Sequence, residues 1–280
     1  MGAQEAAGDI LWFVDADVVV KSDAARHIRY VLTSGDYAAV FGSYDDRPAA
    51  PNFLSQYKNL VHHYYHQSHR REASTFWTGC GAVWKDAFLA AGGFDSALHA
   101  MEDIEFGYRL RGIGGRIRLA PEIQGTHLKI WTFWRLVITD LRDRAIPWAF
   151  ILLKRGDAGD DLNVAVTEKI RALIACLGAL SVLTSITGLT PWWAPAVPLA
   201  SAFIANLELC DLLQRRKGLL FALGGLLFHQ FYYLYSTAAY CCCWAMEKSG
   251  KLRHAWRASG VAAADLSASL PQEVDARRRA

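Results

Sequence analysis

Residues 10–20 read ILWFVDADVVV, an apolar run that contains two aspartates, Asp15 and Asp17. The run predicts a buried strand over Ile10–Val20 with the aspartates toward its carboxyl end. Because alternate residues of a strand project to the same side, the two carboxylates are expected to point together. Carboxylate oxygens at a sheet edge suit Mg²⁺ or Mn²⁺, ions that neutralise a diphosphate. Two solvated aspartates at an ordinary strand end would produce the same pattern.

The segments that follow predict an α/β fold. A helix is expected over about Ala24–Ser34 and a second strand over about Tyr37–Ser43, a rhythm typical of a sheet covered by helices. Later elements are expected as helices at Asn52–His69, Lys85–Ala91 and Met101–Arg111, an extended segment at Thr75–Trp84, and a short strand at Arg116–Leu119 before Pro121. Glycines at 79 and 81 interrupt the extended segment, where they allow a close approach of the backbone.

Composition divides the chain into regions of different character. Of the 280 residues, 52% are hydrophobic and 20% charged, and the apolar residues concentrate between about 170 and 246. The formal net charge of +3, with no dense basic face, argues against a nucleic-acid partner. The six cysteines include three consecutive ones at 241–243, and their spacing predicts neither a disulfide framework nor a metal site.

Three apolar stretches, at about 171–190, 194–212 and 219–246, each approach the roughly 20 residues that cross a bilayer. Basic residues follow the second and third stretches, as they do on the cytoplasmic side of membrane proteins. A simple third crossing would put one basic cluster on the far side, so a re-entrant or interfacial third stretch also agrees with the sequence. We expect an integral membrane protein with its globular part in the cytoplasm.

The segment between the globular and apolar regions mixes tryptophan, leucine and arginine. This composition predicts either a helix in the membrane interface or an amphipathic helix packed on the globular domain. The predicted organisation is a globular α/β domain at 1–129, an amphipathic segment at 130–165, about three transmembrane helices at 166–246 and a basic polar tail at 247–280.

Two further positions are candidates for chemistry. Glu102 and Asp103 open a predicted helix, where acidic residues are favoured by the helix dipole, so capping alone explains them. Asp103 is also a candidate general base that removes a proton from an acceptor hydroxyl. His127 is either an ordinary packed histidine or, as a neutral imidazole, a third metal ligand.

The helix predicted at 52–69 carries four histidines, at 62, 63, 66 and 69. Three of them share one helical face and could bind zinc. Tyrosines interleave with them, which favours a packed helix or one that faces an acceptor.

Taken in order, several strings resemble the family 2 glycosyltransferases of the GT-A type. These are Gly8–Leu11 with Asp15–Asp17, Trp77–Ala82, Gly92–Asp95, Glu102–Glu105 and Tyr108–Leu110. The resemblance covers residues 1 to about 130. It implies a Rossmann-like domain that transfers a sugar, with inversion, from a nucleotide-sugar donor to a lipid-linked or saccharide acceptor.

The resemblance also implies the roles of the acidic residues and the late histidine. Asp15 and Asp17 would bind a divalent metal, Mg²⁺ or Mn²⁺, together with the diphosphate of the donor. His127 would complete the metal site, and Asp103 would be the catalytic base.

The resemblance also implies that the glycine-containing string Trp77–Ala82 contacts the substrates. Trp77, Gly79 and Gly81 would line the cleft for the donor sugar and the acceptor, and Glu102 would support it.

Two departures from the family pattern shape the prediction. Only 14 residues precede Asp15, too few for the family's nucleotide-binding half at about thirty residues per strand-helix-strand unit. We therefore expect a partial GT-A domain, with a partner polypeptide as a potential source of that half. The Q-x-x-R-W string of processive synthases is also absent, which predicts one sugar per encounter.

Two other classes of protein agree with parts of the sequence. A truncated, inactive fragment or a non-enzymatic partner subunit would explain the short amino-terminal region. A phosphatase of the haloacid dehalogenase type also begins with an aspartate pair such as Asp15 and Asp17, the first a nucleophile and the second an acid. The later glycine-rich and acidic strings fit that class poorly.

Overall fold

The computed structural model describes residues 2–156 and 162–249. Its strands are β1 (Ile10–Val14), β2 (Val18–Val20), β3 (Ala39–Tyr44), β4 (Glu72–Ala73), β5 (Cys80–Trp84) and β6 (Ile117–His127). They form one mixed sheet in the order β1-β5-β3-β6-β2, with β4 also paired to β6. β3 and β6 are parallel, and the other pairs are antiparallel.

Helices cover both faces of this sheet. In the globular region they are α1 (Gly2–Glu5), α2 (Ala24–Ser34), α3 (Phe53–Ser68), α4 (Lys85–Ala90) and α5 (Glu102–Gly112). The apolar side chains of α2, Ile28 and Leu32, pack with Val40 and Ile123 on one face. On the other face, α3, α4 and α5 surround a core that includes Phe41, Leu60, Phe76, Phe88, Phe106 and Leu110. The predicted α/β fold is confirmed, and so are the helices expected around α2, α3 and α5.

The strand predicted over Ile10–Val20 is wrong in one respect, because the structure divides it. β1 pairs with β5 and β2 pairs with β6, at opposite ends of the strand order. The chain must change direction between them, and it does so in a turn closed by a hydrogen bond from the Val18 amide to the Asp15 carbonyl oxygen (3.0 Å). Asp15 and Asp17 therefore lie in a turn rather than on extended backbone.

β6 is longer than the predicted strand at 116–119 and continues through Pro121. Proline has no amide hydrogen, so it is tolerated where a strand is irregular. The register between β3 and β6 shifts at this place, from Phe41 opposite Leu119 to Ser43 opposite Gln124. His127, which follows the predicted strand at 116–119 in the sequence, is the final residue of this longer strand.

The predicted amphipathic segment forms α6 (Phe133–Asp140), a π-helical turn (Leu141–Ala145) and α7 (Ile146–Arg155). α7 packs on the globular domain, where Trp148, Ile151 and Leu152 contact Ile104 and Tyr108 of α5. α6 buries Leu136 and Val137 but leaves the large side chains of Trp134 and Ile138 mostly exposed. α7 is thus packed against the globular domain, whereas α6 leaves large apolar side chains exposed.

The apolar region forms α8 (Val166–Ile186), α9 (Ala196–Ala205), α10 (Leu207–Lys217) and α11 (Leu219–Lys248). Among the described residues, α8 is long and apolar enough to cross a membrane, and α9 with α10 qualifies only if that pair, bent by 73°, is one span. The expectation of about three spans is thus reduced to one or two candidates. From residue 250 onward, the predicted basic tail lies outside the described residues.

α3 joins the globular domain to the apolar helices through polar side chains. The Tyr57 hydroxyl lies 2.7 Å from His229 Nδ1 of α11, and the Tyr65 hydroxyl donates to Glu168 Oε2 of α8 at 2.8 Å. Tyr233 of α11 donates to the same Glu168 oxygen at 2.7 Å. Buried polar groups are costly unless they are hydrogen-bonded, so these contacts fix how the helices sit on α3.

Candidate functional site

Asp103 begins α5 with its carboxylate held by three hydrogen bonds. Its Oδ2 accepts from the amide (3.1 Å) and the hydroxyl (3.2 Å) of Thr78, and its Oδ1 accepts from the Ile104 amide (2.8 Å). Burial and the neighbouring Glu102 carboxylate raise the pKa of Asp103 to about 6, although the hydrogen bonds oppose this change. A carboxylate with a pKa near neutrality is suited to take up a proton during a reaction.

The backbone that leads into α5 is held in an unusual conformation. Met101, immediately before Glu102, has a φ of 65°, in the left-handed region that non-glycine residues rarely occupy. Farther along the helix, Glu105 binds the Arg109 guanidinium at 2.7 Å, and Arg109 donates to the Gly93 carbonyl oxygen at 2.6 Å. Glu105 and Arg109 therefore position α5 against the segment that contains Gly93, while Asp103 faces the site.

Asp15, Asp17 and Glu102 lie close enough to interact electrostatically. Partial desolvation, Asp17 and Glu102 all raise the pKa of Asp15. Since Glu102 also raises the pKa of Asp103, it links the turn at Asp15 with the start of α5. The structure therefore brings together the acidic residues that the sequence selected from two distant segments.

His127 joins this cluster from the end of β6. Its Nε2 lies 3.6 Å from Oδ2 of Asp17, and Lys129 Nζ lies 3.9 Å from the same oxygen. Burial lowers the pKa of His127, which favours the neutral imidazole that a metal ligand requires.

The donor set fits a hard cation only in part. Asp15 and Asp17 offer carboxylate oxygens, and their mutual repulsion would be relieved by a positive ion. Among the described residues, however, no group of three or more histidine, cysteine, aspartate or glutamate side chains is arranged to hold a metal. The described side chains alone therefore do not complete a metal site, and the two carboxylates could supply only part of the coordination of an ion such as Mg²⁺ or Mn²⁺.

Positive charge reaches the cluster from Lys129 and Arg144, which both lower the pKa of Asp15. Arg144 belongs to the π-helical turn, and its Nη1 binds Asp140 Oδ1 at 2.7 Å. Asp140, only 2% exposed, also accepts from Lys58 Nζ at 2.8 Å and from the Tyr235 hydroxyl at 2.8 Å. The sequence did not single out Asp140 or Arg144. A π-helical turn often marks a functional position, but this one is visible only in the structure.

Trp77 lies beside the site, with its ring against those of Tyr44 (4.9 Å between centroids) and His62 (4.8 Å). A Cβ added to Gly79 would lie 2.1 Å from the Trp77 ring, and one added to Gly81 would lie 2.2 Å from the Trp77 carbonyl oxygen. The absence of side chains at both glycines is therefore explained by packing of the protein on itself. Their contact with substrates stays a prediction.

Two of the four histidines of α3 bind the end of β3. His66 Nδ1 lies 2.7 Å from the Gly42 carbonyl oxygen, and His63 Nδ1 lies 2.7 Å from that of Tyr44. These carbonyls lie where the β3–β6 register shifts, so side chains supply donors there. The hydrogen bonds of His63 and His66 agree with a packed helix, and the zinc alternative finds no support among the described residues.

Comparison with known proteins identifies the family. The model of the glycosyl transferase family group 2 matches residues 10–246. Among solved structures, the chain is similar to the mannosyltransferase PcManGT from Pyrobaculum calidifontis in complex with GDP-Man and Mn²⁺, at 18% identity and a TM-score of 0.46. That match covers 85% of this chain and 63% of the other, so the chain spans less than two thirds of that protein. No curated protein matches.

The family match covers every string on which the resemblance rested apart from Gly8 and Asp9. It gives no support to a phosphatase of the haloacid dehalogenase type. The chain belongs to the family 2 glycosyltransferases.

Proposed function

We propose that this chain transfers one sugar per encounter from a nucleotide-sugar donor to a lipid-linked or saccharide acceptor at a membrane surface, with inversion at the anomeric carbon. Asp103 is the base, and the Asp15–Asp17 turn with His127 binds the diphosphate side of the donor through a divalent metal. The observation that carries the proposal is the Asp103 carboxylate, held by Thr78 with a pKa of about 6 beside a second acidic cluster.

Asp103 has both the geometry and the charge of a general base. The acceptor hydroxyl forms a bond from its oxygen to the anomeric carbon, the bond from that carbon to the diphosphate oxygen breaks, and the hydroxyl proton passes to Asp103. Above pH 6 the carboxylate is ionised and ready to accept it. The Thr78 hydrogen bonds hold one oxygen in place, which orients the carboxylate for the proton.

The leaving diphosphate carries the charge that develops as the bond breaks. A bound divalent ion would supply positive charge to the diphosphate oxygens. Lys129 and Arg144 add fixed positive charge on the same side of the site, since both act on Asp15. Such preorganised charge is commonly the largest contribution to catalysis.

The proposed membrane location is supported by the surface of α8. Ile170, Leu173, Leu177 and Leu180 are each more than half exposed, and the helix is long and apolar enough to span a bilayer. Trp134 of α6, 71% exposed, adds a tryptophan of the kind found at membrane interfaces. We place the catalytic part on the cytoplasmic side and the acceptor within reach of the lipid surface.

The test is binding of a panel of UDP- and GDP-linked hexoses to the purified chain in detergent, measured by calorimetry with and without MnCl₂. We expect at least one nucleotide sugar to bind, and EDTA to abolish that binding. Subsequent incubation with membrane lipid extract should transfer radiolabelled sugar to lipid. Absence of binding to the whole panel would overturn the proposal that this chain carries donor binding.

A further inference from the structure

Tyr44, the last residue of β3, lies between the two halves of the site and has no role in the mechanism above. Its ring stacks on that of His127, with centroids 4.3 Å apart and an angle of 11°. It also contacts the rings of His62 at 4.5 Å and Trp77 at 4.9 Å. With its backbone carbonyl bound by His63, the residue is fixed at 7% exposure.

These neighbours connect Tyr44 to both groups of carboxylates. On one side, His127 lies 3.6 Å from Asp17. On the other side, Trp77 precedes Thr78, which holds Asp103 through two hydrogen bonds. The phenol therefore sits between the proposed metal-binding turn and the proposed base.

The hydroxyl group of Tyr44 is available to a ligand. Among the residues that the structure describes, none forms a hydrogen bond with this hydroxyl, although the ring is buried. A tyrosine phenol is protonated at physiological pH, so this hydroxyl can donate a hydrogen bond.

We propose that Tyr44 binds the transferred sugar, donating a hydrogen bond from its phenol to a sugar hydroxyl. This inference rests on the proposed function and names a contact that neither the motifs nor the family match assigns. In an inverting transfer the sugar lies between the base and the leaving diphosphate. Tyr44 lies in the corresponding position, between Asp103 and the turn that contains Asp15 and Asp17. A neutral donor suits a sugar hydroxyl, whereas diphosphate oxygens are better served by Lys129, Arg144 and a cation.

The experiment compares wild type with Tyr44→Phe, which keeps the ring stack on His127 and removes only the hydroxyl. Affinity is measured by calorimetry with MnCl₂ for the nucleotide sugar from the panel that binds wild type, and for the matching nucleoside diphosphate. We expect the variant to bind the nucleotide sugar roughly tenfold more weakly. Its affinity for the nucleoside diphosphate should stay within about twofold of wild type, because that ligand has no sugar to contact.

Tyr30→Phe is the matched control, since Tyr30 lies on α2 and is 67% exposed. It should leave both affinities unchanged. Equal nucleotide-sugar affinity in Tyr44→Phe and wild type would overturn the inference and leave the proposed function standing. An equal loss for both ligands would place the contact on the diphosphate and also overturn it. If wild type binds no nucleotide sugar, the proposed function fails, and this inference fails with it.

Discussion

Thr78 donates two hydrogen bonds to a single oxygen of Asp103, from its amide at 3.1 Å and from its hydroxyl at 3.2 Å. Both bonds favour the ionised carboxylate and therefore lower the pKa of Asp103, which burial has raised to about 6. The residue that holds the base thus also tunes the pH at which it ionises.

Thr78→Val removes the hydroxyl bond and keeps the amide bond. Loss of a bond to the ionised form raises the pKa of Asp103, so we expect the acidic limb of the pH–kcat profile to move upward by roughly half to one pH unit. Wild-type turnover should fall as the pH drops through about 6, because the base becomes protonated. Sugar transfer measured between pH 5 and 9 checks this, and coincident profiles would argue against Asp103 as the base.

Variants of the two acidic groups should have different effects, one on turnover and the other on donor binding. Asp103→Asn removes the base and should lower turnover by roughly 10²- to 10⁴-fold while leaving donor affinity unchanged. Asp17→Asn should instead weaken Mn²⁺-dependent donor binding about tenfold or more, because a neutral amide is a poorer ligand for a hard cation. Asp23→Asn, at a half-buried position before α2 and outside the site, is the control. Normal turnover and affinity in both site variants would remove the assignment.

Gly107 of α5 should tolerate no side chain. An added Cβ would lie 2.3 Å from the Phe76 amide nitrogen and 2.5 Å from the Thr75 carbonyl carbon, both of which are backbone atoms with little freedom to move. Gly107→Ala should therefore destabilise the protein by about 1 to 3 kcal/mol. Gly112→Ala in the same helix meets nothing within 4 Å and should be neutral or slightly stabilising. Thermal unfolding in detergent compares the two, and equal midpoints would contradict this packing.

Asp140 should be far more important than an exposed aspartate in a similar ion pair. Asp140→Asn leaves Lys58 and Arg144 without their shared counter-ion, and removing one partner of a buried pair costs about 3 to 5 kcal/mol. Asp211→Asn breaks the exposed pair with Arg215 and should cost less than about 1 kcal/mol. The measurement is again thermal unfolding, and a small effect at Asp140 would show that water screens this cluster.

The local elements of the fold were accessible from the sequence, whereas the pairing of distant segments was not. α2, α3 and α5 have strong helical signals and were placed within one or two residues of their observed ends. The sequence predicts one strand at 10–20 because apolar residues lie on both sides of the aspartates, but β1 and β2 pair with different neighbours. Strand pairing depends on contacts far along the chain, which a local pattern does not encode.

The residues of the site were likewise predictable only where a local string marks them. Its acidic members stand in recognisable strings, so Asp15, Asp17 and Asp103 were selected before the structure placed them together. Arg144 and Tyr44 were not selected, because their part in the site depends on where the π-helical turn and the end of β3 lie. The only advance signal for Arg144 was its position in a segment dense in charge and tryptophan.

α3 carries two sets of polar contacts, with histidines that hold the end of β3 and tyrosines that hold α8 and α11. One helix is therefore shared by the reaction centre and the apolar helices. A chimera that took α8 to α11 from another family member, but kept α3 from this chain, would leave Tyr57 and Tyr65 facing unmatched partners. The unit of exchange between such proteins must therefore include Phe53–Ser68, although that segment looks from the sequence like part of the globular domain alone.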